Sequence, residues 1–308
     1  MWKTFTRPAM IFIPFALGIL CPQAHVMNEP PLNFVRWSLC TMIFLSCLQL
    51  NFHDLKPQKE HWFILAANLL MGIVPYFVLK VLYPQNPDYA LAAFFVGITP
   101  TATAAPVVIS FLHGRLGFAL TGFTITNCFI SLALVGLLPL VTGTFTLDFI
   151  GDVIRTLLII IACPFGLAIL VRKIWPGIRE IPKRLKTFSF SLWSFTLFVL
   201  AAQARQYFIE HPHVSVLSVL LVALISVAIC ASNFLIGSFL SKRRFCRECS
   251  QLLGQKNTTF TLYLALTYAN PFVALGPIFY IFWHNCWNAW QMYRYDVHRL
   301  KRNAGGRT

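Results

Sequence analysis

A lysine, Lys256, stands in the run Leu252-Leu253-Gly254-Gln255-Lys256-Asn257-Thr258-Thr259, with apolar sequence on both sides. A cation near the bilayer centre costs about 3 kcal/mol on insertion scales, so such a residue usually faces a cavity and carries function. Two roles suit it: counter-charge for a bound anion, or carrier of a coupling proton. The glycine and the hydrogen-bonding side chains around it read as a helix interrupted in mid-membrane. A second interruption, Thr99-Pro100-Thr101-Ala102-Thr103-Ala104-Ala105-Pro106, lies about half a chain earlier. Pro100 and Pro106 each lack an N–H and clash with the preceding turn, and Thr99, Thr101 and Thr103 set hydroxyls beside the gap. At such a gap one half-helix frees carbonyls that can hold a cation, and the other frees amides that attract an anion. The candidate binding set is therefore Thr99, Thr101, Thr103, Gln255, Lys256, Asn257 and Thr258. Thr124 and Asn127, at i and i+3, can share a helix face and join it. A membrane threonine has a second use, bonding the carbonyl four residues back. Asn68 and His284 are polar residues in apolar runs that fit either packing or function.

The surrounding elements must span a bilayer. Of 308 residues, 57% are hydrophobic and 11% charged, against about 25% charged in soluble domains, and the mean hydropathy is +0.67. The 29 phenylalanines and 8 tryptophans suit lipid contact and interfacial belts. Apolar runs near 8–22, 34–51, 62–82, 89–112, 117–141, 149–171, 187–204, 214–240, 249–269 and 271–293 give ten expected spans at roughly 20 residues each. The longest basic loop, 172–186, divides five spans from five. An odd number forces the second half into the opposite orientation, so residues 1–142 and 149–296 read as two inverted repeats. The expected fold is an all-α membrane protein, one integral domain over 1–308, with broken helices 4 and 9.

The formal charge of +15 orients the chain and does not call for nucleic acid. Most Lys and Arg fall in alternate loops and at both ends, whereas 23–33, 83–88 and 142–148 contain neither. The positive-inside rule then places the N- and C-termini in the cytoplasm, in a plasma or inner membrane. Lys3 and Arg7 before an apolar run could open a signal peptide, but Leu20 before Cys21 does not suit a lipoprotein cleavage site and no A-x-A follows. A retained first span is expected.

The remaining chemistry-bearing residues exclude more than they add. Most of the nine cysteines lie in expected spans, and Cys246-Arg247-Glu248-Cys249 has no second pair to complete a zinc site. No H-E-x-x-H, phosphate loop or dinucleotide fingerprint occurs. No cofactor is expected, sodium being left open, and with the ten Asp and Glu mainly in loops an enzyme is not expected either. The reading is a secondary carrier of a small organic anion, with a channel or a non-transporting sensor as the alternative.

Several motifs bring the chain close to a known group. Leu55-Lys56-Pro57 follows span 2, Gly97-Ile98-Thr99-Pro100-Thr101-Ala102-Thr103-Ala104 lies in span 4, Gly254-Gln255-Lys256-Asn257 in span 9 and Trp283-His284-Asn285 in span 10. In order and spacing they resemble the bile acid:sodium symporter superfamily over most of the chain. The resemblance implies ten spans in two inverted five-span repeats, with spans 1, 2, 6 and 7 as a panel moving against a core of spans 3–5 and 8–10, and helices 4 and 9 crossing. It also implies sodium coupling, but this chain departs from the pattern. Ala105-Pro106 stands where sodium-coupled members carry Ser-Asn, and Leu252 and Lys256 stand where they carry a glutamate and a glutamine. Lys256 could then serve as a built-in cation, and the coupling ion, sodium or proton, stays open.

Overall fold

The computed structural model describes residues 13–48, 55–175, 177–178, 185–212, 214–241 and 244–305. Residues 8–12 of expected span 1, 49–51 of span 2 and 179–184 of the basic loop lie outside the described set. The described residues are helical throughout, with no strand among them. Helix α1 covers 13–20 and leads into a 3-10 turn, Pro22–Asn28. Then follow α2 (Phe34–Leu48), α3 (Lys59–Leu82), α4 (Pro87–Gly97), α5 (Ala104–Phe111) and α6 (Leu116–Thr142). The second half holds α7 (Leu147–Leu157), a π turn (Leu158–Ala162), α8 (Cys163–Ile174), α9 (Lys186–Glu210), α10 (Val216–Leu240), α11 (Cys246–Gly254), α12 (Thr258–Tyr268) and α13 (Pro271–Gly305).

Among the described residues, four helical stretches are long and apolar enough to cross a membrane: Lys59–Leu82, Leu116–Thr142, Leu147–Ile174 and Val216–Leu240. The third runs unbroken through the π turn, which absorbs Pro164, a residue that cannot donate to the carbonyl four positions back. Their lipid-side faces carry exposed Leu70, Val74 and Val78 on α3, Leu132 on α6 and Leu217, Leu220 and Leu224 on α10. Apolar residues at helical spacing on the outside of a bundle are what lipid requires.

Local signals set the helix ends. The Gln58 backbone N–H donates to Nδ1 of His61 at 2.9 Å, part of a capping box that starts α3. Thr146 and Ser215 hydroxyls accept from Phe149 N and Ser218 N and start α7 and α10. Gly143, at φ +73°, closes α6 in the left-handed conformation.

Two groups of helices emerge from the packing. In one, α2 lies on α8, the π turn and α9, and α9 lies on the 3-10 turn. In the other, α3 lies along α4, α10 along α11, and α13 packs on α4, α10 and α12. The second group contains the tightest backbone approaches. A Cβ added to Gly97 would sit 1.8 Å from the Met71 carbonyl oxygen, and one on Gly237 would sit 2.5 Å from that of Cys249. Only hydrogen fits at either place, so these glycines let each half-helix settle against the helix before it.

Candidate functional site

Helices α4 and α5 are separated by residues 98–103, and α11 and α12 by residues 255–257. Both gaps fall where the sequence places the two breaks. They meet: Ala102 N–H donates to the Gln255 carbonyl and Asn257 N–H to the Pro100 carbonyl, each at 2.8 Å. Thr101 and Lys256 thereby form a single antiparallel bridge. Each broken segment thus pairs one amide and one carbonyl with the other.

Side chains reinforce the crossing. Thr101 Oγ1 donates to the Leu252 carbonyl at 2.6 Å, and Asn127 Nδ2, from α6, donates to the Thr101 carbonyl at 2.9 Å. Thr99 Oγ1 donates to the Phe95 carbonyl at 2.6 Å and lies 2.8 Å from Thr261 Oγ1 on α12. Thr99 and Thr101 are fully buried, and Gln255 and Thr258 nearly so.

Lys256 is the centre of the arrangement. It is 1% exposed, and its ammonium donates to Asn68 Oδ1 at 2.7 Å and to the Gly97 carbonyl at 3.0 Å. Gly97 is the last residue of α4, so this oxygen belongs to the carbonyl end of a half-helix, where partial negative charge gathers. Asn68 comes from α3 and is itself fully buried. Neither partner is a carboxylate. Glu248, a candidate partner on the same segment, instead accepts the Arg115 N–H at 2.8 Å. Nor does Lys256 reach for the end of its span, since its two partners lie on α3 and α4 at the crossing.

The structure therefore joins seven of the nine residues singled out by sequence around one crossing: Thr99, Thr101, Asn127, Gln255, Lys256, Asn257 and Thr258. Thr103 is exposed and precedes α5, and Thr124 gives its hydroxyl to the Leu120 carbonyl four residues back at 2.9 Å. Asn68, Gly97 and Thr261 belong to the site as well. Asn68 was visible as a polar residue in an apolar run. Gly97 and Thr261 carried no signal of their own, because a carbonyl and a threonine become ligands only through the crossing.

A family model for the sodium bile acid symporter family matches residues 36–211, more than half of the chain. The chain belongs to the sodium bile acid symporter family. That span takes in α3 to α6, including the first break, and the α7–α9 group, while the second break lies beyond it. Members of this family are transporters, which assigns the protein to membrane transport with a small-molecule substrate. A search of curated proteins returned no match.

Proposed function

We propose that this protein is a secondary transporter of a small organic anion that works by alternating access and carries its own cation in Lys256. The supporting observation is the pair of hydrogen bonds from Lys256 Nζ to the Gly97 carbonyl and Asn68 Oδ1. A carbonyl-ended half-helix and a side-chain oxygen are the donor set that would otherwise attract a free cation. With the ammonium on both oxygens and Leu252 supplying no oxygen from its side chain, the residues do not fit a sodium ion. The tethered charge neutralises the α4 terminus and leaves the opposite, amide-rich sides of the breaks to attract the anion.

In this reading the chain forms ten spans in two inverted repeats, 1–142 and 149–296. The α1, α2, α7–α8 and α9 group is the panel and the remainder is the core, with both termini in the cytoplasm. Thr258 and Asn257, at the start of α12, and Gln255 are the anion's first contacts, while Thr99, Thr101 and Asn127 keep the crossing rigid. Substrate does not touch Lys256 in the conformation described, because the core encloses it.

A thermal-shift screen of organic acids on purified protein, in sodium and in potassium buffers at fixed pH, tests the proposal and supplies a substrate. The expected result is stabilisation by one class of organic acid, equal in the two buffers, followed by saturable, counterflow-competent uptake in proteoliposomes. A steep, saturable sodium requirement would overturn the tethered-cation reading. Binding without uptake would make the protein a sensor.

A further inference from the structure

We propose that a hydrated lane of polar side chains inside the core carries protons between the basic end of the bundle and the break at Lys256. This rests on the reading of Lys256 as a functional cation, with the addition that its ammonium can release a proton to the lane and regain it. The lane runs between α10, α11 and α13. At its outer end Gln251 Nε2 donates to Asn288 Oδ1 at 3.1 Å and to Gln291 Oε1 at 2.6 Å, and Gln291 Nε2 donates to Ser250 Oγ at 3.2 Å. This end lies beside the basic surface, where Arg247 stacks on Tyr295 and Arg294 on Trp290. At its inner end Asn233 Nδ2 donates to the Tyr280 hydroxyl at 3.2 Å, which donates to the Gly254 carbonyl at 2.8 Å. Gly254 is two residues from Lys256.

Between these bonded ends the chain of partners lapses. Gln251 Oε1, Asn233 Oδ1 and His284 Nδ1 are buried without any hydrogen-bond partner. Asn233 and Gln251 are fully buried and His284 is 6% exposed. On α13, Tyr280, His284, Asn288 and Gln291 follow one another at spacings of four, four and three residues, a single helical stripe. Burying one polar atom unpaired costs several kcal/mol in hydrocarbon-like surroundings, and three on one lane share one remedy. Water molecules that bond two to four polar partners each would satisfy them all. A water chain with a histidine in it passes protons by exchange, each proton arriving at one end as another leaves the other.

The titratable groups around His284 are few. Tyr280 lies on its own helix, its ring centroid 5.6 Å away, and Cys230 on α10 lies beside Tyr280 and near Lys256. On α11, Glu248 is held by Arg115 N and Cys249 lies one residue on. The helices on the other half of α13 keep theirs near its start: Asp88 bonds Asn270, Tyr89 packs on Phe272, Tyr207 lies near Asp88, and Tyr268 bonds the Asp152 carbonyl.

The test needs no substrate. Full-length protein in liposomes on a solid-supported membrane is given a pH jump, and the transient current from proton binding is recorded. The wild type should give a current, His284→Leu and Gln251→Met should slow it at least about tenfold, and Lys256→Met should abolish it. No current in the wild type, or unchanged kinetics in both lane variants, overturns the lane. A current that survives Lys256→Met yet slows in the lane variants keeps the lane and removes Lys256 as its end point. Should the variants fail to fold, radiolytic hydroxyl labelling of the wild type decides. Labelling of Tyr280 and His284 above that of Phe94 and Phe95 supports bound water there, and labelling no greater than theirs overturns it.

Discussion

The two breaks are built alike and employed differently. Each first half-helix ends on a glycine pressed against the preceding helix, Gly97 against Met71 of α3 and Gly254 against the Phe234 ring of α10. Each glycine offers its carbonyl to a side chain: Gly97 takes the Lys256 ammonium and Gly254 takes the Tyr280 hydroxyl. The first break is neutral, rich in proline and threonine, and supplies acceptors. The second supplies the one basic side chain at the crossing among the described residues. The same local arrangement, a half-helix ending on a buried glycine whose carbonyl accepts from a distant side chain, thus receives a lysine at one break and a tyrosine hydroxyl at the other.

The sharpest way to break that comparison is to exchange the donors' roles. Lys256→Met should abolish uptake of the organic acid identified by the screen, a loss of about a hundredfold or more, and should leave the empty protein at least as stable, since removing a buried charge removes its desolvation cost. Tyr280→Phe should do the reverse. It strands the Gly254 carbonyl and Asn233 Nδ2, so stability falls by about 1–3 kcal/mol, while uptake falls far less than in Lys256→Met. Normal uptake by well-expressed Lys256→Met would remove the lysine from the mechanism. Lys256→Arg keeps the charge but not the shape, and it should retain more activity than Met if the role is purely electrostatic.

A smaller effect separates the glycines. In Gly97→Ala the new methyl meets backbone, the Met71 carbonyl at 1.8 Å, whereas in Gly254→Ala it meets the edge of the Phe234 ring at 2.3 Å. A ring can tilt and a packed helix backbone cannot follow as easily, so Gly97→Ala should cost about 3 kcal/mol and Gly254→Ala about 1–2 kcal/mol. Thermal or denaturant unfolding in detergent measures both. Equal costs would show that α3 yields as readily as a side chain.

Helices and breaks were legible in the sequence because both are local. Apolar runs of membrane length, two prolines with three threonines, and a lysine among polar residues each announce themselves within about ten residues. Over the residues described, helix lies within each expected span and four of these helices are long and apolar enough to cross a membrane, while both gaps fall at the expected breaks. The partners of Lys256 were not legible. Asn68 lies 188 positions away and Gly97 contributes only a carbonyl, so neither bond leaves a local pattern. Thr124 shows the converse: its type suited the site, but its hydroxyl is spent on its own helix. A threonine's sequence position does not reveal which way its hydroxyl turns, because both bonds are available to it at similar cost.

The smallest expected effect concerns the hydroxyl-to-hydroxyl bond between the first break and α12. Thr99 Oγ1 donates to the Phe95 carbonyl, and its contact with Thr261 Oγ1 therefore uses Thr261 as donor. Thr99→Val keeps the shape and removes both bonds; Thr261→Val removes the shared one and the longer, 3.4 Å contact of Thr261 Oγ1 with the Thr258 carbonyl. Interhelical bonds of this kind are worth about 0.6 kcal/mol in membrane proteins, because the separated helices find other partners. Each single variant should thus lose roughly 0.5–1.5 kcal/mol, Thr99→Val the more. The double variant should lose less than the sum by about 0.6 kcal/mol. Strict additivity in that cycle would mean the two hydroxyls do not couple, and the crossing would then rest on its two backbone bonds, the Thr101 and Asn127 side-chain bonds and Lys256.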